Sequence, residues 1–109
     1  MSAGTHIVSV YAVFADESEA RRIGRAMVEE RLAACVNILG PCSSIYRWQG
    51  RIEEAEEVAA IFKTGAERAE ALAARIARLH SYDVPCVAVW EIGSAHPPYR
   101  DWIGESVKE

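Results

Sequence analysis

Two long extended runs meet at Gln49 and Gly50, and their length restricts the possible folds more than any other feature of the sequence. One apolar run ends at Trp48, and residues 51–63 continue in extended form beyond the turn. At about 3.3 Å per residue, the second run alone spans about 43 Å. A domain of this length has a diameter of only roughly 34 Å. The hairpin is therefore predicted to project from the domain or to bend around it.

The segments before the hairpin alternate between strand and helix periodicity. Residues 7–14 are β-branched and aromatic, which predicts a strand. Asp16 and Glu19 then form a capping box for a helix that is expected to run to about residue 31 or 32. A second strand, residues 35–48, is predicted to bend or bulge at Gly40-Pro41, because proline cannot donate to a central ladder.

The segments after the hairpin repeat this alternation. Thr64 and Glu67 predict a capping box for a second helix that ends near His80. Residues 85–92 predict a fourth strand, and the tail is expected to hold a short helix around Trp102. The order β-α-β-β-α-β predicts one α/β domain over residues 1–109, with a ferredoxin-like fold, an extended central hairpin and a short C-terminal element. Right-handed crossovers place both helices on one sheet face.

Apolar side chains on the hairpin predict that the chain associates with other copies of itself. Ile45, Tyr46, Trp48 and Ile52 lie on this ribbon. A two-stranded ribbon is marginally stable in water, and exposed apolar patches are typical of interfaces. Pairing with another copy of the chain would cover both the open sheet face and the strand edges. The alternative is a hairpin bent back onto its own helices.

Composition excludes several functional classes. The net charge is −4 without a basic cluster, so no nucleic-acid partner is expected. No apolar run approaches the ~20 residues of a membrane span, and no secretory signal begins the chain. Three widely spaced cysteines, Cys35, Cys42 and Cys86, indicate reduced thiols and a cytoplasmic location rather than a disulfide framework.

Several motifs resemble those of the CutA (divalent-cation tolerance) family. They are LAACVNI at residues 32–38, SIYRWQGRI at 44–52, EV at 57–58, KT at 63–64, HSYDVP at 80–85, and Tyr99 with Trp102. The resemblance implies a ferredoxin-like fold, an interlocked homotrimer, a role in copper or other divalent-cation tolerance, and no established enzymatic reaction. It also implies a similarity to the trimeric PII architecture, whose ligands lie between subunits. Three departures are Phe14-Ala15, where many members have Cys-Pro, the HSYD of residues 80–83, where HPYE is usual, and Cys86, where a glutamate is common.

Candidate metal ligands are Cys35, His80 and Asp83. A thiolate suits Cu(I), and a carboxylate often orients a metal-binding imidazole. Each residue also has a structural interpretation: Cys35 as a buried strand residue, and His80 as a favourable cation at a helix C-terminus. Cys42 and Cys86 are interpreted as structural. Copper or another divalent cation is the expected ligand, and no cofactor is expected to be required for folding.

Other residues are assigned to assembly or to a cleft between subunits: Tyr46, Trp48, Glu57, Lys63, Tyr82 and Trp102. Two alternatives remain open for such a cleft. One is a PII-like sensor of a small anionic ligand, with charge from Lys63 and Arg47, and the other is a scaffold for another protein. No nucleophile elbow, phosphate loop or zincin motif is present, so no enzyme activity is expected.

Overall fold

The computed structural model describes residues 6–108. In chain order the elements are β1 (Ile7–Phe14), α1 (Glu17–Glu29), β2 (Cys35–Trp48), β3 (Arg51–Gly65), α2 (Ala69–Leu79), β4 (Cys86–Glu91) and α3 (Pro97–Ser106). A 3₁₀ turn, Ala66–Arg68, precedes α2. The four strands form one antiparallel sheet in the order β2-β3-β1-β4. The predicted ferredoxin-like βαββαβ fold with a short C-terminal element is confirmed.

Both long helices pack on the same face of the sheet. Alternate residues of the two central strands enter one hydrophobic cluster with apolar side chains of α1 and α2. Since side chains alternate across a strand, these residues share one face. The fully buried members are Val10, Ala12, Phe14, Ala60 and Phe62 from the strands, Ala20, Ile23 and Met27 from α1, and Leu72 and Ile76 from α2.

The opposite sheet face, called here the open face, is covered by a helix at one end. At that end Ile7 packs with Ile103 of α3 and with Val107, the residue that follows the helix. Strand alternation and register place these further residues on the open face: Tyr11, Val13, Cys35, Asn37, Cys42, Glu57, Ala59, Ile61, Lys63, Cys86, Ala88 and Trp90. Tyr11 stacks on Trp90 with ring centroids 4.9 Å apart.

The central hairpin extends beyond the rest of the sheet. Pairing of β1 with β3 stops at Phe14 and Val58, whereas β2 and β3 stay paired to Trp48 and Arg51. Residues 42–57 therefore form a two-stranded extension, called here the ribbon. The molecule is 51 Å along its longest axis, and its radius of gyration is 14.7 Å against about 13 Å expected for a compact domain of this length. The prediction of a projecting hairpin is confirmed.

Backbone conformation shapes the ribbon at two points. Gln49 and Gly50 both have positive φ, 50° and 79°, which fits the type I′ turn that joins strands with two residues. The ladder shifts register between Ile38 and Gly40, where Gly40 has φ of 99°. This bulge lies where the sequence predicted it.

Two predicted helix boundaries differ from the structure. α1 ends at Glu29, two residues before the expected position, because Arg31 adopts a left-handed φ of 60°. Thr64 does not cap a helix. Its hydroxyl donates to the Leu32 carbonyl at 2.7 Å from a fully buried position, and α2 begins at Ala69 after the 3₁₀ turn. No helix within residues 6–108 is long and apolar enough to cross a bilayer.

Candidate cation site on the open face

Glu57 is a buried carboxylate at the base of the ribbon. It lies one residue before the last β1–β3 pair and is only 7% exposed. Its Oε2 accepts a 2.8 Å hydrogen bond from the Tyr82 hydroxyl. The ion pairs found among residues 6–108 lie on the helices and the tail, and none reaches Glu57. Burying a charge without an opposite charge is costly, so the hydrogen bond from Tyr82 is the described contact that stabilises this carboxylate.

Two thiols and a second phenol share the open face with Glu57. Cys42 is its direct partner across the β2–β3 ladder. Cys86 pairs with Val13 on β1, and Tyr11 lies two residues before Val13. These five side chains, Tyr11, Cys42, Glu57, Tyr82 and Cys86, are called here the Glu57 cluster. All five are acids, so together they can only add negative charge to this part of the face.

The pKa values of the cluster reflect burial among acids. Burial raises the pKa of the Cys86 thiol, and the charges of Glu57 and Cys42 raise it further. Burial also raises the pKa of Tyr11, and the charges of Cys42, Cys86 and Glu57 raise it further. Burial and the hydrogen bond to Glu57 raise the pKa of Tyr82 to about 12. Each group resists a further negative charge, and a cation bound among them would relieve that repulsion.

His80 is held by two backbone groups. It is 8% exposed, and its ring stacks on Phe14 with centroids 5.2 Å apart. Nδ1 lies 3.1 Å from the Tyr82 N–H, which must be the donor, and Nε2 lies 2.7 Å from the Val13 carbonyl oxygen. Nδ1 is therefore the acceptor from Tyr82, and the Val13 carbonyl can only accept from Nε2. His80 is the C-cap residue of α2, and its backbone N–H donates to the Ile76 carbonyl, so its predicted place at the helix end is as expected.

Both ring nitrogens of His80 are thus occupied, so the ring reaches a metal only by breaking one of these bonds. The atoms that orient it belong to Val13 and Tyr82, rather than to Asp83, which lies exposed in the loop before β4. His80 also stacks against Tyr82 at 4.8 Å. These contacts of His80 join the loop that carries Tyr82 to β1.

Glu19 fixes the same loop from the other side. Its carboxylate accepts hydrogen bonds from the Ala15 N–H at 3.0 Å and from the Ser81 N–H at 2.8 Å. Burial by itself would raise the pKa of Glu19, but these bonds outweigh it and the pKa is lowered. The expected capping box is present in part, since Asp16 accepts from the Glu19 N–H at 2.8 Å.

The other predicted residues lie at the far end of the open face. Cys35 pairs with Lys63, six residues along β3 from Glu57, which is about 20 Å. The Cys35 Sγ lies 3.7 Å from the Tyr99 hydroxyl, and Tyr99 stacks against Trp102 at 6.0 Å. One chain therefore does not bring Cys35 together with His80 and Asp83.

Tyr46 and Trp48 lie near the tip of the ribbon. Tyr46 pairs with Glu53 and Trp48 with Arg51. Lys63 is ten residues along β3 from Glu53, about 33 Å away. The cleft expected from Lys63, Tyr46 and Trp48 could form only between chains.

One chain alone does not supply a complete set of metal ligands. Within residues 6–108, no three His, Cys, Asp or Glu side chains are grouped so that they could hold a metal ion. The donor types around Glu57 do fit a soft or borderline cation, since thiols and a carboxylate are common ligands of such ions. Sequence reasoning missed this group because Cys42 and Cys86 lie far from Glu57 along the chain. Only the strand register could have revealed it.

Comparison with known proteins gives a consistent family. The family model described as "CutA1 divalent ion tolerance protein" matches residues 8–106. The "Divalent-cation tolerance protein CutA" of Thermus thermophilus is 43% identical over 90 residues, which cover 83% of this chain and 87% of that protein.

Solved structures agree with the sequence match. CutA1 from Oryza sativa superposes with a TM-score of 0.93 at 30% identity and covers 99% of each chain. A structure from Archaeoglobus fulgidus, described as a "Periplasmic divalent cation tolerance protein CutA", has a TM-score of 0.90 at 36% identity and covers 94% of this chain and 99% of that one.

Proposed function

The chain belongs to the CutA1 divalent ion tolerance family, and on that basis we propose that it is a homotrimer that binds copper or another divalent cation. The family descriptions name tolerance to cations rather than a reaction, which supports a binding protein over an enzyme. The cation lies on the open face near Glu57, in a cleft closed by neighbouring copies. Three free cysteines fit a reducing cytoplasm, which we propose as its location.

The observation that carries this proposal is the buried carboxylate of Glu57. It has a hydrogen-bond donor in Tyr82 and acids around it, and no described ion pair neutralises it. A buried charge of this kind is stable when a cation is close. Tyr82 holds one carboxylate oxygen and thereby directs the group, as outer partners direct metal-binding carboxylates.

The proposal of a trimer is supported by apolar side chains on the ribbon. Ile45 is 70% exposed, Ile52 is 60% exposed and Trp48 is 40% exposed. On a single chain this surface lies in water, and stable interfaces place such side chains at their centre. Cys35 and Asp83 stay predictions as metal ligands, and from their positions they would act only across chains.

Calorimetric titration of Cu²⁺ and Zn²⁺ into the wild type and Glu57→Gln tests the cation site. We expect the wild type to bind both ions. The Glu57→Gln variant should lose more than ~100-fold in affinity, because changes in residues that only support a metal ligand typically cost ~10–100-fold. Glu56→Gln is the matched control, because Glu56 is its neighbour on the other ribbon face, where it accepts from Ser43 at 2.7 Å. Equal binding by wild type and Glu57→Gln would contradict the site, and binding of nucleotides but no metals would favour a PII-like sensor.

The assembly is tested by its mass in solution. We expect elution near three times 12.0 kDa at micromolar concentration and a smaller mass for Trp48→Asp, which places a charge on an apolar contact. If folding and assembly are coupled, Tm also rises with protein concentration. A wild-type mass of one chain would overturn the trimer.

A further inference from the structure

A row of side chains crosses the open face beside α3. Strand register places one residue of each strand in this row, called here the Lys63 row: Cys35, Lys63, Ser9 and Trp90. Neighbouring strands lie about 4.8 Å apart, so the Cα atom of Lys63 is within about 10 Å of the other three. Tyr99 of α3 lies over the β2 end of the row, where its hydroxyl is 3.7 Å from the Cys35 Sγ.

Lys63 carries a positive charge that no carboxylate within residues 6–108 neutralises. Its Nζ donates to the Asn37 Oδ1 at 3.4 Å, which is long for a hydrogen bond. The ion pairs of this part of the chain lie elsewhere. Since an ammonium group has three N–H donors, Lys63 has donors left for a ligand.

The side of α3 that faces the sheet also has a donor without an acceptor. The Arg100 Nε is buried and lacks a hydrogen-bond partner within residues 6–108, which is uncommon for a buried polar atom. Ile103, three residues further on, belongs to the hydrophobic cluster under α3, so Arg100 lies on the same side of the helix. Asp101 falls on the opposite side by helical spacing, and Glu105 is paired with Lys108 at 2.9 Å. This end of the open face therefore has more donors than negative charge.

Aromatic rings border the Lys63 row at both ends. Trp90 stacks on Tyr11 with ring centroids 4.9 Å apart, and Trp102 stacks on Tyr99 at 6.0 Å. Both indoles are about half exposed, at 48% and 49%. An exposed aromatic ring can stack on a flat ligand, and a nearby charged group fixes the orientation of that ligand.

We propose that the Lys63 row binds a small planar organic anion, a flat ring that bears a carboxylate or phosphate group. The ammonium of Lys63 neutralises the acidic group, and the ring lies against the exposed indole of Trp90 or Trp102. Carboxylate and phosphate share the chemistry that a lysine recognises, a negative charge on several acceptor oxygens. The inference goes beyond the proposed function and does not depend on it, because Glu57 lies six residues from Lys63 along β3, about 20 Å away.

Two neighbours of Lys63 complete the recognition of the acidic group. Asn37 accepts from Lys63 through Oδ1, so its NH₂ group has donors left for an anion. Burial, together with the hydrogen bond and charge of Cys35, raises the pKa of Tyr99 to about 12, so this phenol stays protonated at neutral pH. Neither neighbour adds a negative charge that would repel the ligand.

The test follows the indole N–H signals of the isotope-labelled full chain by NMR during titration with naphthoate and with naphthyl phosphate. We expect saturable shifts at Trp90 or Trp102. Trp48 is the internal reference, because it pairs with Arg51, twelve residues from Lys63 along β3 and about 40 Å away. The tighter of the two probes identifies the acidic group as a carboxylate or a phosphate.

Two further probes separate the charge from the ring. Naphthamide keeps the flat ring without the charge, and cyclohexanecarboxylate keeps the charge without the flat ring. Each should bind about tenfold more weakly or worse, as expected for the loss of a hydrogen bond between charged groups or of a stacked ring. Equal binding of naphthoate and naphthamide by the wild type would overturn the anion site without the need for any variant.

Lys63→Met tests the cation itself. This variant keeps the length of the side chain, and we expect it to lose about tenfold or more in affinity for naphthoate and to bind it no better than naphthamide. Lys108→Met, which removes an exposed cation at the end of α3, is the matched control and should bind as the wild type does. Elution mass and Tm confirm that each variant folds and assembles, and Lys63→Gln replaces a methionine variant that does not.

Three outcomes would overturn the inference: no shift of Trp90 and Trp102 in the wild type, a shift of Trp48 alone, or unchanged naphthoate affinity in Lys63→Met. An acid from a neighbouring copy that occupies Lys63 would produce the first outcome. The proposed function is tested apart from this, since Lys63→Met should keep the affinity of the wild type for Cu²⁺ and Zn²⁺, and Glu57→Gln should keep its affinity for naphthoate.

Discussion

The body of the sheet and the ribbon are built from the same two strands but differ in what covers them. In the body, Val58, Ala60 and Phe62 of β3 lie against two helices and are almost completely buried. In the ribbon, Ile52 of the same strand is 60% exposed. A strand of alternating residues can thus complete a core at one end and present an apolar surface at the other. The apolar side chains of the body are buried by residues of the same chain, whereas those of the ribbon would be buried only against another surface.

The junction between these regions is also where the candidate site lies. Glu57 is the first ribbon residue next to the body, and the loop that contacts it is fixed by His80 and Glu19. Neither region contains the site alone. Body residues position Tyr82, and ribbon residues supply Cys42 and Glu57.

Removing a large side chain from the body should have the largest effect. Phe62→Ala removes a fully buried ring that lies 6.3 Å from the Phe14 ring, and we expect a loss of about 3–5 kcal/mol in the free energy of unfolding. The matched ribbon variant Ile45→Ala should change it by less than about 0.5 kcal/mol in a dilute, dissociated chain. Urea unfolding measures both, and equal losses would show that the two regions do not differ as described.

Glu19→Gln should have the next largest effect. The carboxylate ties Ala15 to Ser81, and we expect a loss of about 1.5–3 kcal/mol at neutral pH, as for hydrogen bonds to charged groups. Because the pKa of Glu19 is lowered from 4.5, its contribution is present above that pH and is lost as pH falls through the folded-state pKa.

The stability difference between wild type and Glu19→Gln should therefore shrink in acid, as followed by chemical unfolding across pH. Glu17→Gln, which changes an exposed partner of Arg21 on the same helix, is the control with little expected effect. A difference that stays constant down to pH 3 would argue against an ionised Glu19.

The turn at the ribbon tip should show a smaller, local effect. Gly50→Ala places a side chain at φ of 79°, which costs about 1–2 kcal/mol, although nothing lies within 4 Å of the added Cβ. Gln49→Asn should instead stabilise the turn, since Asn-Gly is favoured in type I′ turns. Hydrogen exchange should report faster opening at Trp48 and Arg51 for Gly50→Ala without a change in β1. Equal protection in all three proteins would show that the turn does not limit the ribbon.

The smallest effect is expected at the start of α1. Asp16→Ala removes the cap that accepts from the Glu19 N–H, and we expect a loss of about 1 kcal/mol. Asp16→Ser should recover most of it, because serine is also a good N-cap. Thermal unfolding compares the three proteins, and no recovery by serine would indicate a role other than capping.

Much of the fold was predictable because its signals are local. The helix period, the Asp16 cap, the Gln49-Gly50 turn and the bulge at Gly40 each depend on a few neighbouring residues. Thr64 shows the limit of such reasoning. The sequence around Thr64 has the capping pattern. In the structure, however, its hydroxyl donates a hydrogen bond to the backbone carbonyl of Leu32, 32 residues away.

The site was less predictable than the fold. Glu57 and Tyr82 were assigned to a cleft, and the structure joins them by a hydrogen bond. His80 is predicted as a metal ligand or a helix-terminal cation, and the structure places its ring nitrogens against the neighbouring Tyr82 N–H and the Val13 carbonyl, which is 67 residues away in the chain.

The sequence by itself determined the order of the elements, the face on which the helices pack, the overlong hairpin and the family. These follow from periodicity and motifs, which are properties of adjacent residues. Only the tertiary structure decided that Cys42 faces Glu57, that Cys86 lies on the same sheet face, and that His80 is fixed by Val13 and Tyr82. The reason is that strand register and loop position are set by the sum of many long-range contacts, none of which is encoded in a short stretch of residues.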